Sequence, residues 1–552
     1  MAAGSRRTES PSEETPLIAS STIEDNGTDM PVSLARGLAI ISLMGLLIFI
    51  QTTNMSMMTT AQSEIATDLD AFAEATWFTS AYLIAMSSIT PLAGRLSLIF
   101  TPRVFVFFSS LVLSLGLFIT ALARNITLFL LGRAVSGCGC GGLMSTSIIL
   151  VLDLASKRRR GLCFGMINSG YTIGVASGAV LAGLLTPAYG WRCIFWVQAP
   201  VALVLAPLLF MAIPSHPHRS SNHGGTRSLL QNLARIDYGG ALALTLAVVL
   251  LLSGLASTKI NTIRVLLSLI SLVTFLIIES EFAAEPIVPI AVLKTRSVLL
   301  TCSASMGLMV ARWGVLFFAP VYAMAVRGWS PASAGLILVP TNAGFGLGGL
   351  LVGWIHIRKA GSYYISCLLV FFLFASSTFL LSVLSTPTSS TIAYVSAIFI
   401  NGIFAGAASN YSMSHVLHLT SPHVNYIVTS LLAMSRGFAG SFGSAIGGGL
   451  FYRQLKIFLE TGFAGHDELI RKLLGSPALV SELTGPEKEV AVQSYEHAVR
   501  MLFLAGSILA LAATVFQAGT GWHSHEAVEK EVEEILEDED LEGLVEEGRG
   551  GD

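Results

Sequence analysis

The chain is short of charge. Of its 552 residues only 12% are Asp, Glu, Lys or Arg, against about 25% in a typical soluble domain. Hydrophobic residues make up 53%, and the mean hydropathy is +0.69. A water-soluble fold of this size has nowhere to hide that much apolar surface. Cysteine is also scarce. Cys138, Cys140, Cys163, Cys193, Cys302 and Cys367 sit in or beside apolar runs, with neither zinc-ligand nor disulfide-framework spacing, and read as small buried residues. The sequence holds no Walker phosphate loop, and no nucleophile–base pair or metal set outside the apolar runs, which excludes ATP-driven work and enzymatic chemistry. A net charge of −3 gives no basic surplus for nucleic acid. The start, "MAAGSRRTESPSEETPLIASSTIEDNGTDM", lacks the apolar core of a cleavable signal peptide.

What is present in quantity is long apolar segments. A membrane span needs about 20 of such residues. Fourteen candidates follow in order: 35–57, 74–93, 103–122, 126–150, 161–185, 192–213, 238–256, 262–279, 297–324, 332–355, 362–384, 390–412, 425–450 and 498–518. The expected fold is therefore an all-α membrane protein with both tails on one side. With the tails in the cytosol, the short inner loops hold about thirteen Lys and Arg, among them Arg95, Arg103, Lys157, Arg158, Arg159, Arg160, Arg358 and Lys359, against about five outside, which fits the positive-inside bias. The loop at 452–497 lies on the outer or lumenal side. Its "DELIRKLLGSPALVSEL" has helical apolar spacing and predicts a helix lying on the membrane surface.

A weak repeat divides the chain. Spans 2 and 10 both end in glycines followed by basic residues, spans 4 and 12 carry "GCGCGG" and "GIFAGAAS", and spans 5 and 13 are glycine-rich. The expected organisation is a cytosolic tail without fixed fold (1–34), a six-helix bundle (35–213), a linker with two extra spans (214–296), a second six-helix bundle (297–518) and an acidic cytosolic tail (519–552). Two parallel halves around a midplane site describe a class of secondary transporter.

Glycine in a helix interior costs about 1 kcal/mol against alanine, yet "GMINSGYTIGVASGAVLAG" (165–183) accepts it repeatedly. Lipid offers no hydrophobic drive between helices, so they associate where small residues let backbones approach. Gly170, Gly174 and Gly178 form such a stripe on span 5; Gly440, Gly443 and Gly447 repeat it on span 13. The stripe serves either as a static packing seam or as a seam along which the halves rock.

These segments resemble the major facilitator superfamily. "GYTIGVASGAVLAG" is similar to the span-5 antiporter motif, with Val175 in place of its proline and Ala179 in place of its last glycine. "LLGRAVSGCGCGG" resembles the span-4 motif through Arg133, Gly137, Gly139 and Gly141. "GRLSLIFTPR" resembles the cytoplasmic loop motif through Gly94, Arg95, Leu96 and Arg103, but has Leu98 where an aspartate is usual and Thr101 for a glycine. "ARIDYGGALALTL" and "RGFAGSFGSAIGG" look like the fourteen-span fungal drug:proton antiporter branch, which includes multidrug and vacuolar basic amino acid transporters. That branch often carries an aspartate late in span 1; here the position is Asn54. The resemblance implies a major facilitator fold.

Ionisable groups inside spans are functional candidates by default. Arg133 (span 4), which the motif match turns toward a central cavity, Arg312 (span 9, beside Trp313) and Arg436 (span 13) are the cations; with Asn54 and Glu74, at the outer start of span 2, they make the expected substrate and proton pathway. Each has a plainer reading: packing against carbonyls, a self-contained cation–π pair, snorkelling, or a solvated helix start. Asp153 is expected to pair with the basic loop behind it, and Glu64 and Asp68 to be solvated. His415, His418 and His423 share no Cys or carboxylate and are not expected to bind metal; no cofactor is expected.

In the N-terminal tail, Glu13 followed by Leu17 and Ile18 resembles an acidic dileucine sorting signal, which a cytosolic adaptor would read. The expected function is a proton-coupled secondary transporter, an antiporter moving drugs, toxic metabolites or basic amino acids. The vacuolar or endosomal membrane is favoured, with the plasma membrane as the alternative. A non-transporting transceptor or scaffold with the same fold is the other reading. Expected partners are the lipid bilayer, a small-molecule substrate and protons; a monomer is expected, and no nucleic acid.

Overall fold

The computed structural model describes residues 34–154, 160–214, 237–256, 260–282, 290–353, 363–420 and 424–521. The tails, with Glu13, Leu17 and Ile18, lie outside these residues, as do Lys157–Arg159, Arg358, Lys359 and His423. Within them the chain is helical and contains no strand, as a lipid-embedded backbone must be if every N–H and C=O is to be satisfied locally.

The first six spans are α1 (Leu34–Ser56) continued by α2 (Met58–Asp68), α3 (Ala75–Ile99), α4 (Pro102–Ala121), α5 (Ile126–Leu154), α6 (Arg160–Tyr189) and α7 (Arg192–Ala212). Two further helices follow, α8 (Tyr238–Ala256) and α9 (Thr262–Ile277). The last six spans are α10 (Arg296–Ala325), α11 (Pro331–Leu336) with α12 (Leu338–Leu351), α13 (Tyr364–Leu384), α14 (Thr391–His418), α15 (Asn425–Phe442) with α16 (Gly448–Gly462), and finally α18 (Gly485–Ala518), preceded by the short α17 (Asp467–Gly475). Twelve of these helices are long and apolar enough to cross a membrane. The two other expected spans, α3 and α15–α16, are present as helices.

The glycines at helix ends do local work. Gly190 (φ 75°) turns the chain between α6 and α7, and Gly485 (φ 61°) starts α18; a side chain is disfavoured in that left-handed region. Gly443–Gly447 form a π-helical turn between α15 and α16.

The pair α8–α9 sits beside the bundle. Val248, Leu252 and Ala256 of α8 pack with Ile84 of α3 and Ala445 of the π turn. Helix α9 leaves Ile263, Leu266, Ile270 and Val273 more than half exposed, the apolar outer face expected of a helix against lipid.

Burial along the two central helices is uneven. From Ile50 to Ala61 the first span is buried on every side, while Leu38 and Leu46 nearer the inner end are exposed. Helix α10 repeats this: Leu308–Val326 are buried all round, and Leu299 is 44% exposed. A helix buried on every side has partners on every side, so the halves meet at the outer ends. Gly183 and Ala179 of α6 take Ala332 and Gly335 of α11 at backbone contact, and Ser80 Oγ of α3 lies 3.0 Å from Ser444 Oγ of the π turn.

The loop at 452–497 departs from expectation. Span 13 runs on as α16 to Gly462 and span 14 begins at Gly485, so little of the segment is loop. Helix α17 is not laid on a membrane surface. Its apolar residues Ile470 and Leu473 are buried in the protein, and Gly475 sits against the backbone of Phe72. An amphipathic face looks the same in sequence whether lipid or protein covers it, and here protein covers it.

Candidate functional site

Arg133 is fully buried on α5. Its Nε donates to Phe78 O at 2.9 Å and its Nη1 to the side-chain oxygen of Asn54. The guanidinium carbon lies 4.5 Å from the centre of the Tyr82 ring. Asn54, also fully buried, donates in turn to Gln198 Oε1 of α7 at 3.4 Å, and the Tyr82 hydroxyl donates to Cys140 Sγ at 3.0 Å. Arg133 therefore ties spans 1, 2 and 4 of one half together and does not border open space. Gln198 was not legible as its indirect partner, because a lone glutamine in an apolar run carries no spacing signal.

Arg312 occupies the central helix α10 and is 6% exposed. Its Nη2 donates to Asn342 Oδ1 at 2.9 Å, and its guanidinium covers the Phe345 ring at 4.0 Å. Both partners belong to α12, and Tyr171 of α6, from the other half, is within electrostatic range. The neighbour expected from sequence, Trp313, instead stacks on Phe317 at 5.2 Å. Consecutive helical residues face different directions. Arg436 is half-buried and donates to Ser409 O at 2.7 Å and Ser412 Oγ at 3.0 Å on α14. No described carboxylate forms an ion pair with these three arginines, and each keeps one buried nitrogen unbonded.

The tight contacts of the glycine stripes are with partners in their own halves. A Cβ at Gly174 would lie 3.0 Å from Phe49 O, and one at Gly178 would lie 2.6 Å from Thr53 O, both on α1. Gly170 is looser, with Gly45 O at 3.7 Å. Gly443 presses on Trp313 (2.6 Å to its Cβ), while Gly440 and Gly447 meet only ordinary contacts, at 3.5 Å. Across the halves, the tight small-residue contacts on α6 are at Ala179, which meets Gly335, and at Gly183, which meets Ala332.

Glu74 is half-buried just before α3 and makes no capping hydrogen bond. Arg103 lies over the Phe210 ring at 3.8 Å. Gly94 and Arg95 belong to α3 and Asp153 to α5; their side chains lie outside what the structure describes. Asp68 is not simply solvated: it pairs with Arg192 at 2.7 Å and accepts from Trp191 Nε1 at 3.3 Å. Burial pushes the Glu64 carboxyl above its ordinary range; the nearby Asp68 charge adds to this and a backbone hydrogen bond from Trp191 opposes it. His415 bonds through Nε2 to Thr520 Oγ1 at 3.2 Å and Gly521 O at 3.1 Å. No group of residues suited to hold a metal occurs among the described residues.

Between the halves, beneath the outer cap, Gln62, Thr79, Phe317, Ser444 and Tyr452 line a hollow of about 40 Å³. That is room for about one water, whose share of liquid volume is about 30 Å³. No organic molecule passes there in this arrangement. Two groups of six spans, central helices closed at one end, and glycine-lined pairs define a transporter architecture, and residues 44–444 match the Major Facilitator Superfamily.

The chain belongs to the Major Facilitator Superfamily. It is a multi-pass membrane transporter, not an enzyme. It is similar to the MFS transporter L2 of Phoma sp., with 26% identity over 467 residues, covering 80% of this chain and 75% of that one. The vacuolar basic amino acid transporter 1 of Saccharomyces cerevisiae is 29% identical over 318 residues, 56% of this chain and 54% of the other. Among solved structures, a bacterial homolog of the human lysosomal transporter Spinster, inward-facing and occupied, superposes with a TM-score of 0.60 at 14% identity, over 88% of this chain and 97% of that one. This last likeness concerns the fold alone.

Proposed function

We propose that this facilitator is a proton-coupled antiporter of small organic molecules, such as drugs, toxic metabolites or basic amino acids, in the vacuolar or endosomal membrane. The observation that carries the reading is the closed outer face over two central helices whose inner parts are exposed. An alternating-access carrier needs that asymmetry, and it needs contacts that can break. Glu64 supports proton coupling, since a carboxyl held above its ordinary range takes up protons from an acidic lumen. Similarity to a vacuolar transporter and the spacing of Glu13, Leu17 and Ile18 support the address. In this reading a cytosolic adaptor recognises that tail, and the protein works as a monomer in the bilayer.

The test is uptake into proteoliposomes under an imposed pH gradient, with a panel of cationic drugs and amino acids. Accumulation that collapses on adding a protonophore is expected. A panel in which nothing moves under any gradient overturns the reading in favour of a transceptor. The buried Arg133–Asn54 pair, with no carboxylate in place of Asn54, is the observation that favours that second reading.

A further inference from the structure

Arg312 differs from Arg133 and Arg436 in its position. Arg133 bonds carbonyl and amide oxygens of the first half through Nε and Nη1, and its unbonded Nη2 is enclosed within that half. Arg436 bonds one neighbouring helix of its own half. Arg312 stands on the central helix α10, on the side where α12 and, from the opposite half, Tyr171 of α6 approach.

Its charge is unanswered. A guanidinium has five N–H donors and no acceptor. Asn342 takes Nη2, and the Phe345 ring occupies one face. Nη1 is shielded from water and has no hydrogen-bond partner. No described carboxylate reaches ion-pair distance. Burying a cation without a counter-charge is among the costlier features a protein can keep, and Asn342 supplies only a neutral amide oxygen. A pure packing role would be served better by an apolar residue of the same volume.

We propose that Arg312 is an anion-binding residue and that the molecule this protein binds carries a carboxylate, received by Nη1 at the junction of α10, α12 and α6. With Phe345 covering the flat side, the carboxylate meets the guanidinium edge, where charge-assisted hydrogen bonds form. Tyr171 offers a phenolic donor from the other half. A carboxylate held there would join one half to the other, as a molecule carried between them must. An amino acid satisfies this through its α-carboxylate whatever its side-chain charge; a simple cationic drug does not. The word "carried" rests on the transporter reading, whereas the binding itself does not.

The test is thermal stabilisation of the purified full-length protein by matched probes: benzoate against benzamide, and L-lysine against L-lysinamide. At least one acid should stabilise at a concentration about tenfold or more below its amide, as loss of a charge-assisted hydrogen bond predicts. Arg312→Gln should erase the preference while keeping an unliganded melting temperature at or above wild type. If that variant fails to fold, Tyr171→Phe should still narrow the preference. Amides that stabilise as well as the acids, no stabilisation by either acid, or an undiminished preference in folded Arg312→Gln would overturn the proposal. Gradient-driven flux of neutral or cationic solutes without acid binding would defeat this inference and leave the transporter reading. Acid binding without flux of any solute would do the reverse.

Discussion

Glu64 illustrates how one side chain can read the pH of a compartment. It lies on α2, beyond the first span, beside Asp68 and the α6–α7 turn. Burial holds its carboxyl above the ordinary 4.5; a backbone hydrogen bond from Trp191 opposes this, and the Asp68 charge adds a smaller push in the same direction as burial. Neutral Glu64 is therefore favoured in this outer-closed arrangement, and we expect opening of the outer side to expose it further. Its contribution to closure is fully present below the ordinary value and is lost as pH rises through the raised one. Glu64→Gln should keep the outer side closed across that window, while wild type loosens. Distances between spin labels on the outer ends of α2 and α17, compared between about pH 4 and 7, report this; identical pH responses in the two proteins would remove Glu64 as the sensor. The sequence showed a carboxylate in an outer loop, but not the burial that changes its acidity, because that burial is made by residues more than a hundred positions away.

At the scale of helices, the sequence made the spans legible and left their partners hidden. Apolar length alone marks α4 or α13, and glycine at every fourth position marks a close approach. Neither says which helix approaches. Gly174 and Gly178 meet α1 of the same half, so they are a seam within a bundle; Gly183 meets Ala332 of the opposite half. Substitutions should separate the two. Gly174→Leu, with Thr52 and Phe49 O in the way, should cost about 1–3 kcal/mol of overpacking and lower the yield of folded protein. Gly170→Leu should be tolerated, because its nearest neighbour is 3.7 Å away. Gly183→Leu should fold, since its obstacle is the other half at 2.6 Å, but it should not close at the outer side. Melting temperatures, with thiol labelling of a cysteine placed at Thr79, distinguish the three. A Gly183→Leu protein labelled as slowly as wild type would show that the contact is dispensable.

For the whole molecule, the question is what holds the outer face shut, and the answer lies in a segment that reads from sequence as a loop. Helix α17 reaches from the last six spans onto α2 of the first six. Arg471 Nη2 meets Asp70 Oδ1 at 2.6 Å, Gln62 donates to Tyr452 at 2.9 Å and to Gly475 O at 3.3 Å, and the Phe72 backbone lies 2.6 Å from where a Gly475 Cβ would stand. Every one of these must separate for the outer side to open. The ion pair is exposed, so as a stability element it is worth about 0–1 kcal/mol. As a latch it counts fully, because it is made in one state and absent from the other. Gly475→Leu should act more strongly, since its added side chain meets main chain that cannot step aside. We expect Gly475→Leu to shift the protein toward the outward-open form and to speed thiol labelling at Thr79. Arg471→Asp should do so by a factor of about two to five, the population change that up to about 1 kcal/mol allows. Combining Arg471→Asp with Asp70→Arg should restore slow labelling while Gly475→Leu stays fast. If the charge swap leaves labelling as fast as the single Arg471→Asp variant, the pair is not part of the latch; if Gly475→Leu labels like wild type, α17 is a passive cover and closure is set by α6 and α11 alone.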